Sequence, residues 1–345
     1  MADQSKPLNI AYLFPGQGSQ AVGMGKDWAE HYPEARRVYD IFDRQVEELL
    51  QTQSRQQALS HICFEGPAEE LKRTVYTQPA ILATSLVAWQ LFSQHCDQLS
   101  PANVVATAGH SLGEYGALVA AGVLDIETAA KLVAKRAALM ETAPSGAMSA
   151  VLGLSEEKTN QVIDQYKAAN PGGPVIAVAN YNTAEQIVIS GDAAAIEAVS
   201  PELKTAGAKR VLPLPVGGAF HSPLMDVAAS DFRAFIDNSQ PAFSFSDARL
   251  PVVTNVDATP TRKGHQCREK LSQQINHSVC WTQTMRVLIE DLGVNTVIEF
   301  GPGKVLGGMM QKSYPQVLVI NVFDQPSLEA AIAHFAESAA GVCSV

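Results

Sequence analysis

No apolar run in this chain of 345 residues approaches the ~20 that a membrane-spanning helix needs. There is no C-x-x-C pair either. The five cysteines, Cys63, Cys96, Cys267, Cys280 and Cys343, are an odd number and widely scattered. That fits neither a disulfide framework nor a zinc site, and points to a reducing compartment. Basic charge is short: 25 Lys and Arg stand against 35 Asp and Glu, a formal net charge of −10. The electrostatic footprint of a nucleic-acid binder is therefore missing. Met1 to Pro7 are polar and lack the apolar centre of a secretory signal. These absences lead to the expectation of a soluble protein of the cytoplasm, or of an organellar stroma or matrix in a eukaryote, with no nucleic-acid or membrane partner. At about 150 residues per domain the length suggests roughly two folding units.

What is present is organised around Val104-Val105-Ala106-Thr107-Ala108-Gly109-His110-Ser111-Leu112-Gly113-Glu114-Tyr115. The β-branched and small apolar run reads as a buried strand, and Tyr115 to Ala121 as an apolar helix. Between them Gly109 and Gly113 flank Ser111 in the Gly-x-Ser-x-Gly spacing of a nucleophile elbow, a serine at the apex of a sharp strand-to-helix turn. The glycines supply room, because a side chain at either position would collide with the neighbouring strand or with substrate. The helix beyond aims its N-terminal N–H groups at any anion formed on the substrate. An oxyanion hole takes one amide from the residue after the nucleophile, here Leu112, and a second from another loop. Leu8 to Phe14 reads as a first strand, stopped by Pro15-Gly16-Gln17-Gly18-Ser19-Gln20. That turn lacks the G-x-x-x-x-G-K-[ST] spacing of a phosphate loop. Gln17 is the candidate second donor, with an ordinary tight turn as the alternative.

Asp27 to about Cys96 is mostly helical in pattern, with Thr77-Gln78-Pro79-Ala80 heading an apolar helix toward Phe92. Asp125 suits the N-cap of a later helix that sets Ala129, Leu132, Val133, Arg136 and Met140 on one face. An arginine on an apolar stripe is costly unless it is paired or snorkels to water. On periodicity alone, snorkelling and a guanidinium held for a carboxylate are about even. From about Pro144 the order is a strand (Met148 to Leu154), a helix (Ser155 to Ala169), and two strands (Pro174 to Ala179, Gln186 to Ser190) joined by an Asn-rich turn. An Ala-rich helix interrupted at Pro201 (Asp192 to Gly207) and a last strand (Lys209 to Leu214) follow. This β-α-β-β-α-β order is that of a ferredoxin-like unit, residues 144–214, inserted between residues 1–143 and 215–345 of a larger domain. Beyond it, Ser222 suits an N-cap and Pro223 a first helical position. His221 thus stands outside a helix start at the mouth of a glycine-rich loop, the best candidate base. The other histidines, His31, His61, His95, His110, His265, His277 and His334, read as surface or core residues. Strands at Pro251 to Val256, Thr296 to Phe300 and Val317 to Val322, with helices around Trp281 to Leu292 and Leu328 to Ala340, complete the larger sheet.

Five stretches together resemble the malonyl-CoA:acyl carrier protein transacylase family of fatty-acid and polyketide synthesis. They are Phe14-Pro15-Gly16-Gln17-Gly18-Ser19-Gln20, Thr77-Gln78-Pro79-Ala80, Gly109-His110-Ser111-Leu112-Gly113-Glu114-Tyr115, Phe220-His221-Ser222-Pro223-Leu224-Met225 and Gly301-Pro302-Gly303-Lys304-Val305-Leu306. The resemblance runs in order from about Leu8 to Val322. It implies an α/β fold: an α/β-hydrolase-like large subdomain carrying the elbow, and the ferredoxin-like insert as the small one. It implies Ser111 as the acylated nucleophile and His221 as general base, then as the acid that protonates the leaving thiol. Gln17 and Leu112 would supply oxyanion-hole amides, and Arg136 would hold the malonyl carboxylate. The family orients its histidine with a glutamine backbone carbonyl, matched here by Gln274, so no acidic third member is required and the Gln274 side chain is expected to be dispensable. The family's Asn-Pro-Val-x-Trp reads His277-Ser278-Val279-Cys280-Trp281 here, with an altered beginning. No cofactor or metal is implied. Malonyl would pass from malonyl-CoA to Ser111, then to the phosphopantetheine thiol of acyl carrier protein, a double displacement. Leu112 and Phe220 resemble malonyl-selecting members, and the family suggests a monomer. The carrier protein in such systems is acidic, so docking needs a local basic patch. Lys72-Arg73, Lys209-Arg210 and Arg262-Lys263 are the unranked candidates.

Two rivals stand beside this reading. A serine hydrolase of the α/β-hydrolase type runs Ser, Asp or Glu, then His near the C-terminus, whereas His221 is followed by more than a hundred residues and Arg136 has no hydrolytic purpose. A catalytically idle docking module would have no need of Ser111, His221 and Arg136.

Overall fold

Ile10, Tyr12 and Phe14 of the first strand join one apolar cluster, while Ala11 and Leu13 join another. Side chains alternate across a strand, so this strand is covered on both faces, as in a parallel sheet layered between helices. In the computed structural model, which describes residues 8–50, 57–96 and 103–342, that strand is β1 (Ile10–Phe14), paired in parallel with β2 (Val104–Gly109). Met1 to Pro7 and Cys343 lie outside the described residues. Next come four strands of a second sheet: β3 (Ala147–Leu152), β4 (Ile176–Thr183), β5 (Gln186–Gly191) and β6 (Arg210–Pro213). The first sheet is then completed by β7 (Val252–Val253), β8 (Pro260–Thr261), β9 (Thr296–Phe300) and β10 (Leu318–Val322).

The first sheet has the order β10-β9-β1-β2-β7-β8. It is parallel apart from β8, which runs against β7. The chain steps from β1 to β2 on one side and later returns to β9 on the other, so the strand order reverses beside β1. In open α/β sheets ligands bind at such a switch point, beyond the carboxyl ends of the strands. The elbow lies there.

The second sheet, β4-β5-β3-β6, is antiparallel. Val151, Ile187 and Ile189 pack on one side with Val162, Ile163, Ile196 and Val199 of the helices Glu156–Ala169 and Ala193–Thr205. Met148 and Val188 on the other side belong to the main core, so this face seats the unit on the larger subdomain. The fold is an α/β-hydrolase-like subdomain with a ferredoxin-like one inserted.

Local differences from the sequence reading have physical reasons. The helix Ala193–Thr205 runs through Pro201 unbroken; burying Ile196, Val199 and Leu203 outweighs the one internal hydrogen bond that proline removes. The helix Thr74–His95 begins before Thr77 and contains Pro79. The Asn-rich stretch is strand, because Asn180, Tyr181 and Thr183 pair with β5 and Asn180 also bridges Val279. β7 is two residues long because Asn255 leaves the sheet to bond the elbow. Among the described residues no helix is long and apolar enough to cross a membrane.

Candidate active site

The elbow is a strained turn held from outside. Ser111 has φ 49°, in the left-handed region, where a residue with a Cβ is disfavoured. A Cβ on Gly113 would run into Phe14 O at the end of β1, and one on Gly109 into Gly113 O. Asn255 straps the turn in place. Its Oδ1 accepts the Ser111 N–H at 2.7 Å, and its Nδ2 donates to Gly109 O at 2.7 Å. The helix Gly113–Ala120 starts immediately after Leu112. His110 N–H donates to Phe14 O at 3.0 Å, and a Cβ on Gly16 would lie 2.8 Å from His110 O. The Gln17 loop therefore rides against the elbow. Neither the Gln17 nor the Leu112 N–H has a protein acceptor among the described residues, which suits two donors facing a substrate oxygen.

His221 also sits at positive φ, 58°, and its ring is buried. Nδ1 lies 2.9 Å from Gln274 O and 3.0 Å from His277 O. Both partners are carbonyls, so Nδ1 carries the proton and Nε2 presents its lone pair. Nε2 is 2.8 Å from Ser111 Oγ. Burial, and then the Arg136 charge, push the His221 pKa down to about 3, so the imidazole is neutral and ready to accept a proton.

Arg136 is wholly buried. Its Nη2 donates to Ser111 Oγ at 2.9 Å and to Gln274 Oε1 at 3.0 Å, and its Nη1 to Gln78 Oε1 at 2.6 Å. Among the described residues no carboxylate touches the guanidinium and Nε has no partner, and burial lowers the arginine pKa. A guanidinium has five N–H donors. With three engaged, donors remain beside the nucleophile. The helix face that carries Arg136 thus turns inward to the serine, and the snorkelling alternative is excluded.

The sequence compares with known proteins along nearly its whole length. Residues 11–330 match the family described as Acyl transferase domain. The chain is 42% identical over 326 residues to a malonyl CoA-acyl carrier protein transacylase of Bacillus subtilis (strain 168), covering 94% of this chain and 96% of that one. It belongs to the malonyl-CoA:acyl carrier protein transacylase family. Among solved members, the acyl-carrier-protein S-malonyltransferase of Bartonella henselae superposes with a TM-score of 0.84 at 34% identity, covering 95% of this chain and 99% of that one. A malonyl-transacylase in complex with its type II PKS acyl-carrier protein superposes with a TM-score of 0.83 at 33% identity, covering 94% and 99%.

Within this transacylase fold the other singled-out residues take separate places. Phe220 is buried, with its ring over Gly218 of its own loop. His110 turns toward the small subdomain, with Nε2 2.8 Å from Asn182 Oδ1 and the ring edge-on to Trp281 at 5.5 Å. His277 is exposed and contributes its carbonyl, not its ring. The segment around it is stitched to β4: Val279 N–H donates to Ala179 O and Tyr181 N–H to Val279 O. The Gly301-to-Leu306 stretch is no anion cradle, because Glu299 already accepts the Leu306 and Gly307 N–H groups at 3.0 and 2.8 Å. Among the described residues no group of three or more His, Cys, Asp or Glu could hold a metal ion.

Four buried polar residues around the transacylase site escaped the sequence reading: Gln78, Glu114, Asn255 and the side chain of Gln274. Gln274, whose side chain was expected to be dispensable, is fully buried. Nε2 donates to Ser111 O at 2.9 Å and to Glu114 Oε2 at 2.8 Å. The signal available was Gln78 and Glu114 inside otherwise apolar helices, where an apolar side chain would have packed more cheaply.

Proposed function

We propose that the chain moves the malonyl group of malonyl-CoA onto the phosphopantetheine thiol of acyl carrier protein, through an ester on Ser111, and so supplies extender units for fatty-acid or polyketide synthesis. Ser111 Oγ attacks the thioester carbonyl carbon while its proton passes to His221 Nε2. The oxyanion settles on the Gln17 and Leu112 amides, and the fixed positive end of the following helix favours it. Collapse breaks the carbon–sulfur bond, and the proton on Nε2 leaves with the CoA thiol. The carrier thiol then gives its proton to His221 and attacks the ester, and Ser111 recovers its own. His221 acts as base and then as acid in each half-reaction, with the Gln274 and His277 carbonyls keeping its tautomer. No cofactor is needed.

The observation that carries this reading is Arg136, buried and bonded to the nucleophile itself at 2.9 Å. A hydrolase of plain esters gains nothing from a desolvated guanidinium there, whereas a malonyl ester places its carboxylate within reach of one. Phe220 and Leu112 then line the acyl side. The carrier protein docks on Lys209 and Arg210, which are exposed and open the strand that leads to His221. The rival patches are largely neutralised: Lys72 pairs with Glu69, Arg73 with Glu70 and Glu141, and Lys263 with Asp247. Four described cysteines form no disulfide, which favours work in a reducing compartment, the cytoplasm or an organellar stroma or matrix; the monomeric state rests on the family resemblance.

Labelled malonyl-CoA tests the reading. Mass spectrometry should find one malonyl group on the wild type and none on Ser111→Ala, with transfer on to acyl carrier protein. Label retained by the alanine variant, or free malonate as the main product, would refute it.

A further inference from the structure

The chemistry outlined above uses the Gln274 carbonyl and leaves its side chain idle. That side chain is nevertheless fully buried, and its amide faces three partners. Nε2 meets Ser111 O and Glu114 Oε2; Oε1 meets Arg136 Nη2. The surroundings dictate the direction of the amide. A carbonyl and a carboxyl oxygen accept at one end, and a guanidinium only donates at the other. A flipped amide would turn all three contacts repulsive. Glu114 Oε2 also accepts the Asn255 N–H at 3.0 Å. It therefore stays an acceptor in either protonation state, any proton going to Oε1, which has no partner among the described residues.

The geometry points to Glu114 and the Gln274 side chain as positioning residues that aim the Arg136 fork, and thereby set the preference for carboxylated over plain acyl groups. This rests on the reading of Arg136 given above. Gln78 pins one arm of the guanidinium through Nη1, and Gln274 pins the other through Nη2. With both arms held, the second Nη1 hydrogen and the Nη2 hydrogen now on Ser111 Oγ are the donors offered toward the nucleophile. A carboxylate takes such a fork with two parallel bonds. The two pins are not equally firm. The Gln78 amide is steadied by Met140 Sδ at 3.5 Å, a weak acceptor, whereas Gln274 rests on two oxygens. The firmer pin is the one Glu114 sets. An acyl group lacking the carboxylate has no use for the fork and is indifferent to its aim.

The test measures kcat/KM for malonyl-CoA and acetyl-CoA in the wild type, Gln274→Met, Glu114→Gln, Glu114→Leu and Arg136→Ala. Gln274→Met keeps the chain length and the carbonyl that holds His221 but removes the amide. Its malonyl-to-acetyl ratio should fall about tenfold to a hundredfold, the size of a hydrogen bond to a charged group. The acid limb of its pH profile should stay at the wild-type position. Glu114→Leu, which cannot accept, should lower the ratio likewise, and Glu114→Gln, whose amide oxygen accepts the same two bonds, should retain it. Should Glu114→Leu fail to fold, Gln274→Met and Glu114→Gln still decide the matter. Equal losses for both thioesters in Gln274→Met, or an unchanged ratio, overturn the positioning role. If Arg136→Ala leaves the ratio unchanged, the carboxylate reading itself fails; if it lowers the ratio and Gln274→Met does not, only the positioning role fails.

Discussion

Asn255→Ala removes the strap from the elbow. Alanine leaves the Ser111 N–H and the Gly109 carbonyl without the partners they have at 2.7 Å each. An unsatisfied buried backbone group costs about 1–3 kcal/mol, so the two together cost about 2–6 kcal/mol of stability. The same bonds hold Ser111 at φ 49°, a conformation that costs a residue with a Cβ about 1–2 kcal/mol. Once released, the serine relaxes toward negative φ and carries Oγ away from His221 Nε2 and Arg136 Nη2. A misplacement of about 1 Å lowers a rate by on the order of a hundredfold. The assay is urea unfolding together with the single-turnover rate of acyl-enzyme formation, and both should fall. In a Ser111→Gly background there is no strain to release, because glycine accepts positive φ freely, so Asn255→Ala should then cost more stability, by about the 1–2 kcal/mol that the relaxing serine recovers. A loss below about 1 kcal/mol with an unchanged acylation rate would refute the strap. A loss no larger in the glycine background would refute the strain argument alone.

Arg136→Ala should depress malonyl transfer by about 30-fold to several thousandfold, the range for breaking a buried charge pair, and acetyl transfer far less; Arg136→Lys should recover only part, because a point charge cannot reproduce the fork. Equal losses on both thioesters would refute the carboxylate contact. With His221 held down to about 3, kcat/KM should stay level as pH falls through 6.5, where an ordinary histidine charges; an acid limb near 6.5 would contradict the neutral, buried base. Stability should follow the same groups. Burial lowers His221 to about 3 and His110 to about 4, so their contribution is present above about 6.5 and is lost as pH falls through their folded values. Burial raises Glu114 and Glu299 to about 7, so theirs is present below about 4.5 and is lost as pH rises toward 7. The two pairs oppose each other between about 4.5 and 6.5, and below that only the histidine loss continues. Urea midpoints should be nearly level in the window and drop below it, and His221→Gln should soften the drop.

Ser111, His221 and Arg136 stood out because each breaks a local rule, although for Arg136 periodicity left snorkelling and a carboxylate partner even and the family resemblance supplied the choice. The serine lies between glycines at a strand end, the histidine precedes a Ser-Pro helix start, and the arginine interrupts an apolar stripe. Any position that offends its own neighbourhood needs a reason, and one chain suffices to see the offence. Asn255 offends nothing. Asparagine in a Thr-Asn-Val-Asp stretch reads as turn, and only the fold brings it to a serine 144 positions earlier. Gln78 and Glu114 did offend, as polar groups inside apolar helices, but periodicity says which face a residue occupies and not which partner meets it. The layered architecture was legible for the same local reasons. The extent of β4 was not, since its second half is strand only through pairing with β5 and Val279.

The long reach of those hydrogen bonds has a bearing on synthesis. Ser111 precedes His221 by 110 positions, Asn255 by 144 and Gln274 by 163. At roughly 5–20 residues per second, a ribosome exposes the serine on the order of ten to thirty seconds before its base, strap and fork brace are all available. β9, the strand that closes the other side of β1, arrives later still. Until then the elbow sequence has nothing to hold it in the left-handed turn and nothing to take its proton. Reactivity should therefore wait on completion: a stalled nascent chain ending near residue 250, offered labelled malonyl-CoA, is expected to stay unlabelled.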